Sequence, residues 1–167
     1  VWMGALAGVL AFCAWHGLVC GLAPPTGWDV LAYHLALPEL YLRAGRVLAV
    51  PWMIHSHWPH LMEMLYTVPL ALGWDAGAGL FHAAVCGVWV ISVHSWARPR
   101  LGGRTAFLGA ALLACQPVVL RLAPLAHSDG GQALFYFLSA AALWRWVEED
   151  RSSWLVLAGL LGGLAAA

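Results

Sequence analysis

Apolar residues along the chain fall into long runs separated by polar segments. The runs cover residues 1–23, 76–96, 105–122, 130–147 and 154–167. A helix needs about 20 predominantly apolar residues to cross the hydrocarbon core of a bilayer. The first four runs therefore predict membrane-spanning helices, and the last predicts the start of another. The pattern predicts an all-α integral membrane protein folded as a multi-span helical bundle.

Residues 24–75 lie between the first two runs and have a mixed pattern. From residue 28 to residue 44, apolar residues recur at helical spacing opposite charged ones, which predicts an amphipathic helix in the membrane interface. We expect this helix to be interrupted or bent at Pro38 and to end at Gly45. A second short apolar helix is predicted over 59–72, before Gly73. The first loop thus carries two interfacial juxtamembrane helices.

The arginines predict how the helices are oriented in the membrane. Short loops rich in Arg face the cytoplasm. The loops after the second and fourth runs carry Arg98, Arg100, Arg104, Arg145 and Arg151. Loop 24–75 is therefore expected on the extracytoplasmic side. The excess of Ala, Gly and Arg with no Lys is typical of a GC-rich bacterial genome, so the expected location is a bacterial inner membrane.

Composition supports a membrane location and excludes one class of partner. The chain is 62% hydrophobic and 10% charged, and its eight basic residues balance eight acidic ones. No basic surface is indicated, so we expect membrane lipids and no nucleic acid as partners. Because both ends lie in apolar runs, residues 1–167 are interpreted as the N-terminal part of a single transmembrane domain whose C-terminal remainder is absent.

Two acids are expected at the extracytoplasmic ends of helices. Asp29 follows the first run, and Asp129 precedes the fourth. Such carboxylates could serve as a general base on a hydroxyl or hold a metal ion. The alternative is that each only offsets the macrodipole of the helix it begins.

The stretch HSHWPHLME, residues 55–63, is dense in imidazoles. Imidazole and carboxylate ligands suit a divalent metal ion, and the candidate ligands are His57, His60 and Glu63. No known metal spacing is matched, so a polar turn in the interface is the alternative. Arg121, at the end of the third run, could bind a phosphate or reach the lipid headgroups.

Three motifs together resemble a known family. WDVLAYHLALPELYLRAGR (28–46), PWMIHSHWPHLMEMLY (51–66) and SDGG (128–131) are similar to the N-terminal part of bacterial GT-C glycosyltransferases. These enzymes use polyprenyl-phosphate sugars and are related to protein O-mannosyltransferases and to lipid A aminoarabinose transferases.

The resemblance implies a GT-C-like fold and a site in the first loop. It implies inverting transfer of a hexose or pentose from a lipid-linked donor to a lipid, glycan or protein acceptor of the cell envelope. Asp29 matches the catalytic acid, and Asp129 matches a second acid found after the third span. The substrate-binding candidates are His34, His55, Glu63 and Arg121, and a divalent metal ion is a possible cofactor.

Two other functions remain open from the sequence. The chain could be a non-catalytic transporter with acids and histidines along an ion path, or a structural membrane subunit. The middles of the runs are almost entirely apolar, which weakens the transporter hypothesis. For the enzyme, the 167 residues alone are expected to be inactive.

Overall fold

The computed structural model describes residues 2–167, and this part of the chain is folded entirely into helices and the turns between them. A π-helical turn spans Val30–His34, and a short 3₁₀ turn spans Ile54–His57. The α-helices are α1 (Trp2–Gly21), α2 (Ala36–Ala44), α3 (Leu61–Ala71), α4 (Ala76–Leu101), α5 (Gly103–Ala114), α6 (Pro117–Leu122), α7 (Asp129–Glu149) and α8 (Ser152–Ala166). The predicted all-α class is confirmed.

Helices α1 and α4 are long and apolar enough, by length and composition, to cross a membrane. They correspond to the predicted runs 1–23 and 76–96. Large apolar side chains on α1 are exposed in this fold, among them Phe12 at 60% and Trp15 at 64% exposure. An exposed apolar surface of this kind suits contact with lipid. The other three predicted spans and the full multi-span bundle stay predictions.

The helix expected over 105–122 is instead two helices. Helix α5 ends at Ala114, and α6 begins at Pro117 after Gln116 takes an extended ψ of 129°. Proline disfavours the helical conformation in the residue before it, which explains why the helix breaks here. The continuous helix was therefore a wrong prediction.

The loop helix expected to bend at Pro38 is interrupted earlier. The π-helical turn closes with a bond from the Leu35 amide to the Val30 carbonyl at 2.9 Å, and α2 follows it. Pro38 lies in the first turn of α2, where its missing N–H costs nothing, so it causes no bend. The predicted end at Gly45 is confirmed, with φ at 64°. The interfacial position of α2 and α3 stays a prediction.

Helix α4 is the central helix of the fold and packs against α1, α3, α5 and α7. At one end, Nη2 of Arg100 donates to the carboxylate of Glu148 on α7 at 2.6 Å. At the other end, a buried apolar cluster joins α4 to the loop helices and to the segment before α7; its members are Val30, Leu35, Met62, Tyr66, Ala78 and Ala126. This cluster holds the loop motifs and the SDGG motif together.

Glycines permit the closest of these contacts. A Cβ on Gly130 would lie 2.5 Å from Cys86 Sγ and 2.6 Å from His82 Nε2, and a Cβ on Gly131 would collide with Met62 Sδ. The start of α7 can therefore approach α4 and α3 only because the SDGG motif has no side chains at these two positions.

We predict that Gly130→Ala lowers the free energy of unfolding by about 1–3 kcal/mol, because the added methyl group overpacks the contact with α4. Gly87→Ala on α4 is the matched control, since its Cβ would meet nothing within 4 Å. That change should be neutral or stabilising by about 0.5–1 kcal/mol. Thermal unfolding in detergent measures both, and equal effects of the two changes would contradict the packing argument.

Candidate active site

A buried hydrogen-bonded pair links the two parts of the first loop. His34, in the π-helical turn, and Glu63, in the first turn of α3, are each 3% exposed. Because a carboxylate accepts, Nδ1–H of His34 donates to Oε1 of Glu63 at 2.6 Å. The second oxygen, Oε2, is buried and has no hydrogen-bond partner within residues 2–167. One buried acceptor oxygen of the pair therefore remains without a hydrogen bond in the described part of the chain.

His127 brings the segment before α7 against this pair. Its ring centroid lies 4.9 Å from that of His34, and its Nδ1 lies 3.6 Å from Oδ2 of Asp129. The hydroxyl of Tyr66, on α3, donates to the His127 carbonyl. The loop helices and the HSDGG segment thus form one cluster of imidazoles and carboxylates.

The charges of the acids affect the pKa of two ring side chains in the cluster. Burial raises the pKa of Tyr33, and the negative charges of Asp29, Glu63 and Asp129 raise it further. Burial, followed by the neighbouring His34, lowers the pKa of His127, while Asp129 and Asp29 partly offset this effect. The charges of Asp29 and Asp129 therefore affect the same two side chains.

The two acids differ in exposure. Asp29 is half-buried directly before the π-helical turn, and Asp129 is the first residue of α7 with its side chain 62% exposed. Both positions are at helix starts, where a carboxylate also offsets the macrodipole. The geometry is compatible with this structural role and with a chemical role.

The three histidines of residues 55–60 have different partners and do not form one group. The His55 ring stacks on Tyr33, with centroids 4.0 Å apart and planes inclined by 4°. His60 Nε2–H donates to the His55 carbonyl at 2.8 Å. His57 is exposed, with its Nδ1 3.2 Å from Ser56 Oγ.

A ready-made metal site is not formed by these side chains. Within residues 2–167, no three His, Cys, Asp or Glu side chains are grouped as metal ligands. Glu63 pairs with His34, and His60 is bonded to backbone. As arranged, this donor set therefore does not fit a bound ion. The candidates His57, His60 and Glu63 stay a prediction.

Arg121 lies shortly before the HSDGG segment along the chain. It is exposed in the last turn of α6, and its positive charge contributes to the lowered pKa of His127. An exposed guanidinium in this position can bind an anion bidentately. Contact with lipid headgroups remains the alternative role.

Sequence reasoning missed Tyr33, Tyr66 and His127 as members of the site. His127 directly precedes the SDGG motif, and Tyr33 lies within the first loop motif, so proximity to both motifs was the available signal. Tyr66 is the last residue of the second loop motif, but its role depends on a contact across 61 positions in the sequence.

The fold is all-helical and has two apolar helices of membrane length. A cluster of acids and imidazoles lies beside its loop helices. Together these features define a membrane protein with a polar site. The dolichyl-phosphate-mannose-protein mannosyltransferase family model matches residues 48–167. The chain belongs to this family of the GT-C superfamily and is a membrane glycosyltransferase. Searches of curated proteins and of solved structures give no match.

We predict that His34→Phe lowers the free energy of unfolding by about 3–5 kcal/mol, because Glu63 is left buried without its partner. The double variant His34→Phe/Glu63→Leu should recover most of this loss, since no polar group is then stranded. Breaking the exposed Arg43–Glu39 pair with Arg43→Ala is the control and should cost less than about 1 kcal/mol. Denaturant unfolding measures all three, and a double variant as unstable as the single one would contradict the argument.

The lowered pKa of His127 predicts a loss of stability in acid. The folded chain holds the imidazole proton more weakly than the unfolded chain, whose pKa is about 6.5. The contribution of neutral His127 is therefore complete above that pH and declines as the pH falls toward the folded pKa. His127→Asn should lose less stability than the wild type between about pH 7 and about pH 5. Melting temperatures across this range measure the effect, with His57→Asn as the exposed control; parallel curves for wild type and His127→Asn would contradict the prediction.

Proposed function

We propose that this membrane glycosyltransferase transfers a sugar, with inversion, from a polyprenyl-phosphate donor to an acceptor hydroxyl at the extracytoplasmic face of a bacterial inner membrane. The observation that carries the proposal is the contact of His34 with His127, which brings the first loop, where Asp29 precedes the π-helical turn, against the segment that carries Asp129. Two carboxylates facing one polar cluster can divide the tasks of proton removal and substrate orientation.

Asp29 is the proposed general base. It accepts the proton of the acceptor hydroxyl as that oxygen forms its bond to the anomeric carbon. The bond from this carbon to the phosphate oxygen breaks on the opposite face of the sugar, and the polyprenyl phosphate leaves. Its position supports the assignment, because Asp29 directly precedes the π-helical turn and stays partly exposed, so that a substrate hydroxyl can reach it.

Asp129 is the proposed second catalytic acid, which orients the acceptor together with His127. The 3.6 Å separation between Oδ2 and Nδ1 supports this role, because the imidazole can form a hydrogen bond to the carboxylate after a small adjustment. The exposed carboxylate also leaves one edge open to a substrate hydroxyl.

The remaining candidates form the proposed binding surface for the donor. The prenyl chain is confined to lipid, so its sugar-phosphate head is presented near the membrane surface. Arg121 binds the phosphate through its guanidinium. Glu63, whose buried Oε2 has no partner within residues 2–167, accepts a hydrogen bond from a sugar hydroxyl that enters the site. His34 holds Glu63 in place, and His55 lies beside them on the face of Tyr33. The sugar is a hexose or pentose, and the acceptor is a lipid, glycan or protein of the cell envelope.

We predict that Asp29→Asn in the intact gene product reduces sugar transfer by about 10²–10⁴-fold, the usual effect of removing a general base. Asp129→Asn should also reduce the rate. Asp75→Asn is the matched control, because Asp75 is an exposed acid at the start of α4 and in the same loop. Transfer of radiolabelled sugar from native membrane lipid carriers, at matched protein levels, measures the three variants.

Each outcome of this assay has a separate meaning. Full activity in Asp29→Asn would contradict the assignment of the base but leave the reaction intact. No transfer by the wild type across a panel of lipid-linked donors would contradict the proposed donor class.

A further inference from the structure

His82 is a completely buried polar side chain in the middle of the packed fold. It lies on α4 with 0% exposure, directly behind the segment that connects α6 to α7. A buried imidazole is stable only when its donor and acceptor nitrogens find partners. The partners of His82 therefore indicate what the residue does.

Both ring nitrogens are bonded to the backbone of the same segment. The amide of Gly130 donates to Nε2 at 3.1 Å, so Nε2 carries no proton. The proton is therefore on Nδ1, which lies 3.2 Å from the Leu122 carbonyl and 3.1 Å from the Ala123 carbonyl. One neutral ring thus joins the end of α6 to the start of α7.

The segment held in this way carries the side chains of the candidate active site. His127 and Asp129 lie between the two points that His82 binds. The contact of Gly130 with the ring leaves no space for a side chain, and the Tyr66 hydroxyl holds the segment from the other side through the His127 carbonyl. The position of Asp129 is consequently coupled to the orientation of the His82 ring.

We propose that His82 is a positioning residue for sugar transfer, which sets Asp129 and His127 by binding the backbone on both sides of them. The inference rests on the proposed function. Within residues 2–167 the hydrogen bonds of the His82 ring all go to backbone atoms, so it acts through Asp129 and His127.

The first experiment compares His82→Gln with His82→Leu in the intact gene product. A glutamine amide presents a donor and an acceptor at nearly the spacing of the ring nitrogens, whereas leucine presents neither. We expect His82→Leu to reduce kcat by about 10²-fold, the usual effect of a small misplacement of catalytic groups, with KM for the donor little changed. His82→Gln should restore most of the rate. His94→Leu is the control, because His94 is also on α4 and its Nδ1 has no partner within residues 2–167.

A double-variant test separates positioning from general destabilisation. In an Asp129→Asn background, His82→Leu should cause a smaller loss of activity than it does in the wild type, since one of the two groups that it positions is already disabled. A purely structural role would instead give the full additional loss. Additive effects, or equal rates for His82→Leu and wild type, would overturn the inference while leaving the proposed reaction in place.

Hydrogen exchange supplies a readout that needs no activity. His82→Leu should raise exchange of the backbone amides of residues 123–131, most strongly at Gly130, whose acceptor is removed. The same amides in His94→Leu should remain as in the wild type. Unchanged exchange in His82→Leu would overturn the inference even if the proposed donor also proved wrong.

Discussion

The close approach of backbone at the start of α7 is the constraint on which the site depends. Gly130 lies against His82 and Cys86, and Gly131 lies against Met62. On the facing helix, a Cβ on Gly79 would lie 2.5 Å from the Pro124 carbonyl. With side chains at these positions the helices would separate, and the HSDGG segment would move away from the first loop. The three glycines therefore allow the polar segments to meet in one site, in a chain whose other contacts are mainly apolar.

The buried polar groups within this close-packed region have one another as hydrogen-bond or charge partners. Glu63 is buried against His34, and His127 lies between a second imidazole and the carboxylate of Asp129. Burial disfavours charge on His127, whereas the acids favour it. Such opposed effects are typical of sites that handle protons, since a small change in surroundings alters the protonation state. Asp29, half-buried directly before the π-helical turn, also favours the charged form of His127 and stays partly exposed.

The helix class and most helix ends followed directly from the sequence. Apolar runs predicted α1 and α4, and Gly45 and Gly73 marked the ends of α2 and α3. The π-helical turn and the break before Pro117 were not predicted. The π-helical turn depends on one backbone hydrogen bond, which the hydrophobic periodicity does not show. The break before Pro117 lies within a continuous apolar run, although the proline itself indicates a break. For the site, the motifs brought Asp29, Asp129, His34 and Glu63 to attention. The pairing of His34 with Glu63, and the places of Tyr66 and His127, depend on contacts between distant segments that a single sequence does not reveal.

The π-helical turn at Val30–His34 has a consequence for how the first loop tolerates insertions and deletions. A π-helical turn holds one more residue than an α-helical turn, so it arises and disappears by the gain or loss of a single residue. Loss of one residue here would return the segment to α-helical geometry and rotate everything after it by about 100° relative to Asp29. The direction of Asp29 relative to His34 and α2 thus depends on the number of residues between them as well as on their identity. Substitutions within this stretch can preserve the site, whereas a change in its length would separate the acid from the buried pair.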